Sequence, residues 1–157
     1  NRVLSLGITS NNTLFSVAID QDHLAQLIID TLTLYPRPLA VFIDSINHYY
    51  RIEAIEQYSL RLFLNMLVLL DMISQSNIYI IVSAQVKADE IYGEVIAGYE
   101  YLALWADAIA IIEKLSNRTR VLRFIKPSID LEFKFLIVSS GIKWITMRRG
   151  PVKMREL

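Results

Sequence analysis

The chain has no cysteine and little histidine, since His23 and His48 are the two that occur. Without thiols it cannot form disulfides, thiolate metal sites or a cysteine nucleophile. Two imidazoles also leave little for a histidine-based metal site. The sequence therefore excludes thiol chemistry and disfavours a histidine-bound metal centre.

Glycine is scarce as well, and no segment matches GxxxxGK(S/T). In nucleotide-hydrolysing proteins that loop supplies backbone N–H groups and a lysine to the phosphates. The five glycines are too scattered to form such a loop: Gly7, Gly93, Gly98, Gly141 and Gly150. The given sequence therefore contains no phosphate-binding loop.

Net charge is also absent, because 16 basic residues balance 16 acidic ones. A neutral chain is not a broadly basic nucleic-acid binder.

Hydrophobic residues make up 54% of the sequence, which excludes disorder, and 157 residues suffice for one domain with a real core. The most apolar stretch, residues 60–73, is too short to span a bilayer. We therefore expect a cytoplasmic protein without a membrane partner.

Apolar periodicity and turn residues predict an alternation of strands and helices. The run at 39–44, which ends in Asp44, is typical of a buried parallel strand, and Asp20 is a predicted N-cap. The full prediction has strands at 2–8, 14–19, 39–44 and 77–83, helices at 22–34, 52–74 and 99–105, and a loop at 86–98. Two hairpins follow, from strands at 108–114 with 120–126 and at 131–138 with 143–147. This order is typical of an α/β sheet with antiparallel strands at one edge.

Five segments together resemble one known family. They are LAVFIDSINHYYRIE, IYIIVSAQV, VIAGYEYLALWADAIAIIEKL, RTRVLRFIKPS and LEFKFLIVSSGI, in this order. In order and spacing they are similar to the core ATPase domain of the RecA/RadA recombinase superfamily, especially the archaeal RadA paralogues of the RadB-like and RadC-like kinds. The resemblance covers nearly the whole chain.

The resemblance implies a RecA-like three-layer fold with a mostly parallel central sheet, antiparallel hairpins at one edge and no P-loop strand. The expected domains are a RecA-like core over residues 1–147 and a basic C-terminal tail over 148–157. By the same resemblance, Asp44 and Ser45 match the Walker B end that holds magnesium, and Gln85 matches the glutamine that senses the γ-phosphate. The residues alone leave another interpretation open, in which these are polar side chains that close two strands.

The sequence also departs from the family pattern. The family's catalytic glutamate follows the strand that corresponds to residues 2–8 here, in a pattern like IDTEG, whereas this chain reads LGITS there. Phosphoryl transfer depends on positioning and charge stabilisation, so losing the phosphate loop and this glutamate leaves little catalysis. We therefore expect a degenerate ATPase that is not an enzyme, with no cofactor. ATP and magnesium would bind only if an upstream segment or a partner supplied a P-loop.

These observations predict a non-catalytic RecA-fold accessory protein in DNA recombination and repair. Expected partners are a second copy, a RecA/RadA-like subunit or single-stranded DNA. One alternative is a fragment of a RadA/RadB-like ATPase whose P-loop lies upstream. Another is a regulatory or scaffold α/β domain that binds no DNA.

A basic cluster near the C-terminus is the candidate DNA contact: Arg118, Arg120, Arg123, Lys126, Arg148 and Arg149. The alternative is an edge strand that charges protect from aggregation. Tyr49 and Tyr50 suit base stacking, but we expect them to pack on the neighbouring helix. Trp105 and Trp144 are expected in a core or an interface.

Overall fold

The computed structural model describes residues 13–35, 37–53, 57–89 and 93–149. Within these ranges the protein is α/β, which confirms the coarse fold class. The chain divides into two units, Phe15–Trp105 and a second that contains everything from Ala106 onward. The helices are α1 (Gln21–Leu34), α2 (His48–Glu53), α3 (Gln57–Ser74) and α4 (Tyr99–Trp105). The strands are β1 (Ala40–Ile43), β2 (Tyr79–Val82), β3 (Val86–Asp89), β4 (Gly93–Ile96), β5 (Ile109–Lys114), β6 (Thr119–Lys126), β7 (Leu131–Val138) and β8 (Gly141–Arg149).

Helix α1 begins where its capping residue predicts. The Asp20 side chain accepts a hydrogen bond from the His23 backbone N–H at 2.7 Å, which satisfies one of the orphan donors of the first turn. Leu24, Ile28 and Leu32 recur at helical spacing and pack into the core of the first unit. The predicted helix at 22–34 and its N-cap are confirmed.

Strands β1 and β2 form a parallel pair, with Val41 opposite Ile80 and Ile43 opposite Val82. These four side chains lie on the face that packs against the core. Phe42, Tyr79 and Ile81 alternate with them in sequence and are exposed on the opposite face. The parallel pair is therefore covered on one side and apolar but open on the other.

The predicted long helix at 52–74 begins only at Gln57 as α3, and the shorter α2 precedes it. Phe63, Met66 and Leu70 are buried on one face, whereas Val68 and Met72 are exposed. The buried residues of α3 therefore lie along one side, whereas the opposite side is apolar in part but exposed.

The second unit is a four-stranded antiparallel sheet in the order β5-β6-β7-β8. Each strand pairs with the next, so Glu113 lies opposite Val121, Arg123 opposite Glu132, and Phe135 opposite Trp144. Both predicted hairpins are confirmed. The described sheets contain one parallel pair and are otherwise antiparallel, so the mostly parallel sheet is not seen in this part of the chain.

Two further predictions were wrong. The strand predicted at 14–19 does not form, because this segment has no neighbouring strand to pair with among the described residues. The predicted loop at 86–98 contains the hairpin β3–β4 instead. The predicted first strand at 2–8 and most of the predicted tail at 148–157 lie outside the described residues. The division into one core domain over residues 1–147 and a C-terminal tail stays a prediction. No helix in the described ranges is both long enough and apolar enough to cross a membrane.

Candidate functional site

Asp44 and Ser83 come together at the carboxyl ends of β1 and β2. The Ser83 N–H donates to the Ile43 carbonyl at 3.0 Å, and the Ile46 N–H donates to the Ser83 carbonyl at 2.9 Å. These bonds continue the parallel ladder and set the Ser83 hydroxyl beside Asp44, where it donates to the Asp44 carboxylate. Asp44 is itself exposed. An exposed carboxylate at this edge lies where open α/β sheets bind their ligands.

Ser45 follows Asp44 and turns inward. It is buried, and its hydroxyl has no hydrogen-bond partner among the described residues. A buried hydroxyl without a partner loses its hydration and gains nothing in return. Ser45 is therefore the one orphaned buried side-chain group that the described part of the chain shows at this edge.

Asn47 connects three segments of this edge and is fully buried. Its side-chain oxygen accepts from the Gln85 N–H at 2.9 Å. Its side-chain nitrogen donates to the Gln85 carbonyl at 3.0 Å and to the Ala97 carbonyl at 3.3 Å. One amide thus joins the turn after β1, the segment after β2 and the turn after β4. Asn47 carries no local sequence signal of this role, because its partners lie 38 and 50 positions away in the chain.

Gln85 is placed by this amide through its backbone. Both its N–H and its carbonyl bond to Asn47, and its side chain is half-buried. The structure thus brings Asp44, Ser45 and Gln85 to the same edge, as the sequence predicted. Their role in nucleotide binding stays a prediction.

Tyr50 packs below this edge. Its ring stacks on Phe63 of α3, with centroids 4.6 Å apart and an interplanar angle of 12°. Burial raises the pKa of the Tyr50 hydroxyl, and the nearby Glu100 carboxylate raises it further. The Tyr49 hydroxyl donates to the Ala18 carbonyl. The prediction that Tyr50 packs on the neighbouring helix is confirmed.

The polar groups at this edge would suit a magnesium ion only in part. Magnesium is usually held by one or two carboxylates together with substrate phosphates. Asp44 can supply one carboxylate and Ser83 a hydroxyl. No cluster of three or more potential metal-binding side chains occurs in the ranges that the structure describes. Asp44 would therefore be the one carboxylate that the described residues supply at this edge.

The predicted basic cluster does not lie together as one free patch. Arg123 is paired with Glu113 and, at 2.9 Å, with Glu132. The Arg120 guanidinium donates to the Ser116 and Thr119 carbonyls. Arg118 is exposed, and Lys126 ends β6. Arg148 and Arg149 lie in β8, but their side chains fall outside the described part, so the DNA contact stays a prediction.

The pairing around Arg123 shifts the pKa of both partners. A hydrogen bond to Glu132 raises the pKa of Arg123. Burial alone would raise the pKa of Glu132, but hydrogen bonds from Arg123 and Lys134 outweigh it, and the net shift is downward. The two pKa shifts are opposite in direction, as an ion pair requires, because each charge favours the charged form of the other.

We expect Glu132→Gln to weaken the acid sensitivity of stability. Glu132 has a folded pKa below its unfolded value of about 4.3. Its contribution is therefore present above that value and is lost as pH falls through the folded pKa. The pair is partly exposed, so the effect should stay below about 1 kcal/mol. Urea unfolding at stepped pH measures it, with Asp130→Asn, an exposed carboxylate ahead of β7, as the control. An unchanged pH profile in Glu132→Gln would contradict the prediction.

Comparison with known proteins adds no family assignment. No protein-family model matches the chain, and no curated protein matches it significantly. The RecA/RadA resemblance therefore rests on the sequence segments quoted above.

Proposed function

We propose that this chain is a non-catalytic RecA-fold accessory protein of DNA recombination and repair. It acts by binding a RecA/RadA-like subunit or single-stranded DNA. The observation that carries the proposal is Asp44, exposed at the carboxyl end of β1 and bonded to Ser83 at the end of the parallel neighbour β2. The resemblance places a Walker B aspartate at this position of the fold.

The open face of the parallel pair supports the finer, three-layer fold. Parallel strands occur almost always with helices on both faces. Here one face of β1 and β2 packs on the core that α1 and α3 help to form, while Phe42, Tyr79 and Ile81 are exposed on the other. A second helical layer on that face would complete a RecA-like domain. The same face gives a partner subunit an apolar surface to cover.

Two features of the sequence support the absence of catalysis. The segment GxxxxGK(S/T) does not occur, and LGITS stands where the family carries its catalytic glutamate. Asp44 without those groups can hold a cation but cannot position a triphosphate for attack. The second candidate is a fragment of an ATPase, and the exposed Asp44 carboxylate favours it, because a magnesium ligand must be accessible.

A thermal-shift experiment separates the two candidates. A ligand at one hundred times its dissociation constant stabilises the folded state by about 2.7 kcal/mol. We expect no rise in Tm with ATP and magnesium, and none with a non-hydrolysable analogue. A rise that Asp44→Asn abolishes would overturn the non-catalytic proposal in favour of the ATPase fragment. Asp71→Asn, on the exposed side of α3, is the matched control.

Partner binding is tested separately with a purified RadA-family recombinase in sedimentation velocity. We expect a complex that Phe42→Lys weakens and that Val68→Lys, on the exposed side of α3, leaves intact. If no complex forms and single-stranded DNA is not retained either, the recombination assignment fails. The result would then favour the alternative of a regulatory or scaffold domain that binds no DNA.

A further inference from the structure

The two faces of the antiparallel sheet differ in chemistry. One face, here called the charged face, carries Glu113, Arg123, Glu132 and Lys134, which are joined to one another by ion pairs. Residues opposite one another in register share a face, and neighbours along a strand alternate. Both acidic residues of the four strands are on the charged face. The other face therefore has no acidic side chain at any described strand position.

That other face, here called the aromatic face, is defined by Phe124, Phe133, Phe135 and Trp144. The ring centroids of Phe124 and Phe133 are 6.3 Å apart, those of Phe133 and Trp144 6.2 Å, and those of Phe135 and Trp144 5.4 Å. All three contacts are edge to face. The rings thus form one continuous chain across β6, β7 and β8.

The aromatic face is accessible. Trp144 is 61% exposed, although an indole of this size usually lies in a core. Phe124 and Phe133 are half-buried, and Phe135 is the buried base of the cluster. Trp144 was expected in a core or an interface; its exposure contradicts the core, and the interface stays a prediction. Its ring contacts those of Phe133 and Phe135 edge to face and remains mostly exposed.

Basic side chains flank the rings. Lys114 of β5 pairs in register with Arg120 of β6, and Arg120 lies opposite Phe135 of β7. Lys114 and Arg120 are therefore on the aromatic face, at the end of the sheet where β5 and β6 meet. Lys114 is exposed, and Arg120 is held by two backbone carbonyls that leave further N–H groups to donate. The aromatic face thus combines aromatic rings with basic side chains and has no acidic side chain at its described strand positions.

We propose that the aromatic face binds single-stranded nucleic acid. Bases would stack on the exposed ring of Trp144 and pack against the half-buried Phe124 and Phe133, and phosphates would bind Lys114 and Arg120. Stacking platforms beside cations are the usual means of holding single strands without sequence preference. The neighbouring Ile112 and Ile142 would suit a protein partner. The aromatic face carries positive charge without negative charge, however, and this favours a polyanion. The proposal rests on the proposed function, since it names a partner class and a surface for it.

The direct test is fluorescence anisotropy of a labelled oligodeoxythymidine of about 16 nucleotides, titrated with the full chain. We expect Trp144→Ala to weaken binding about tenfold and Trp144→Phe to weaken it less, because a ring remains. Lys114→Ala should lower the slope of log affinity against log salt by about 0.7. Lys143→Ala is the matched control, since it is exposed, adjoins Trp144 in β8 and lies on the charged face opposite Leu136.

A second readout does not depend on affinity alone. In a Trp105→Phe background, Trp144 is the remaining tryptophan, and stacking should quench its emission when the oligonucleotide is added. An oligouridine arm shows whether RNA is bound as well, since the stacking chemistry is shared. Thermal unfolding of each variant confirms that the sheet is intact. Quenching that follows the anisotropy curve would support the proposal.

The experiments distinguish failure of the aromatic face as a binding site from failure of the proposed function. If the oligonucleotide binds but Trp144→Ala and Lys114→Ala bind as tightly as the parent, the aromatic face is not the site, and the proposed function stands. If neither single-stranded DNA nor RNA binds while the recombinase complex forms, the inference fails and partner binding remains. Self-association that Trp144→Ala abolishes, without nucleic-acid binding, would overturn it in favour of a protein interface.

Discussion

Replacing Gly98 with alanine is expected to lower the free energy of unfolding by about 2–5 kcal/mol. Gly98 begins the turn into α4 with φ of +75°, a conformation that a Cβ disfavours. An added Cβ would lie 2.8 Å from Cε1 of Phe63 and 3.2 Å from Cε1 of Tyr50. Phe63 is fully buried and stacked on Tyr50, so its ring cannot swing aside. Chemical denaturation of the parent and Gly98→Ala measures the loss.

A double-mutant cycle separates the two causes. Phe63→Leu shortens the side chain that the new Cβ would meet, so Gly98→Ala should lose less stability in that background. Gly98→Asn keeps the steric contact but tolerates the positive φ better, so it isolates the backbone contribution. An equal loss in both backgrounds would show that contact with Phe63 plays no part.

Replacing Asn47 with alanine is expected to lower the free energy of unfolding by about 2–4 kcal/mol. The change leaves the Gln85 N–H, the Gln85 carbonyl and the Ala97 carbonyl without their partner. Gln85 and Ala97 are half-buried, so water restores only part of the loss. Hydrogen exchange at the Gln85 amide should accelerate more than exchange within the second unit. Asn65→Ala, on the exposed side of α3, is the matched control.

Asn47→Asp adds a pH dependence with a defined sign. The carboxylate could still accept from Gln85, but its other oxygen would face two carbonyls in a buried site, so its folded pKa rises above the unfolded value of about 3.9. The variant should therefore come closest to the parent below that pH and lose stability as pH rises through the folded pKa. A pH-independent difference between Asn47→Asp and the parent would contradict this.

The sequence predicted those parts of the fold that depend on local pattern. Asp20 and the apolar spacing of Leu24, Ile28 and Leu32 predicted α1 to within a residue, because the cap and the buried stripe are both local. The alternation of β5 to β8 predicted the hairpins for the same reason. The segment at 14–18 has a strand-like composition but no strand, since strand formation requires a neighbour that composition does not reveal.

The sequence predicted two residues of the candidate site, Asp44 and Gln85, but not Asn47, which connects their segments. Asp44 and Gln85 each follow an apolar run, which is a signal that a single sequence carries. Asn47 acts through contacts with residues 38 and 50 positions away, and no local pattern indicates them. The exposure of Trp144 has no local signal either. An indole is mostly buried on average, and Trp144 lies opposite the buried Phe135 of β7, yet it is itself mostly exposed.

The connectivity of the sheets has a consequence for the order in which the chain folds. In the antiparallel sheet Lys114 pairs with Arg120, and Val138 with Gly141, so short closures bring the strands together. In the parallel pair Ala40 meets Tyr79, and the whole of α3 must be placed before the strands can meet. Contacts between residues near in sequence form faster, because less chain entropy is lost before they are made. The four-stranded sheet should therefore gain protection early in refolding, and the edge that carries Asp44 should be among the last parts to form.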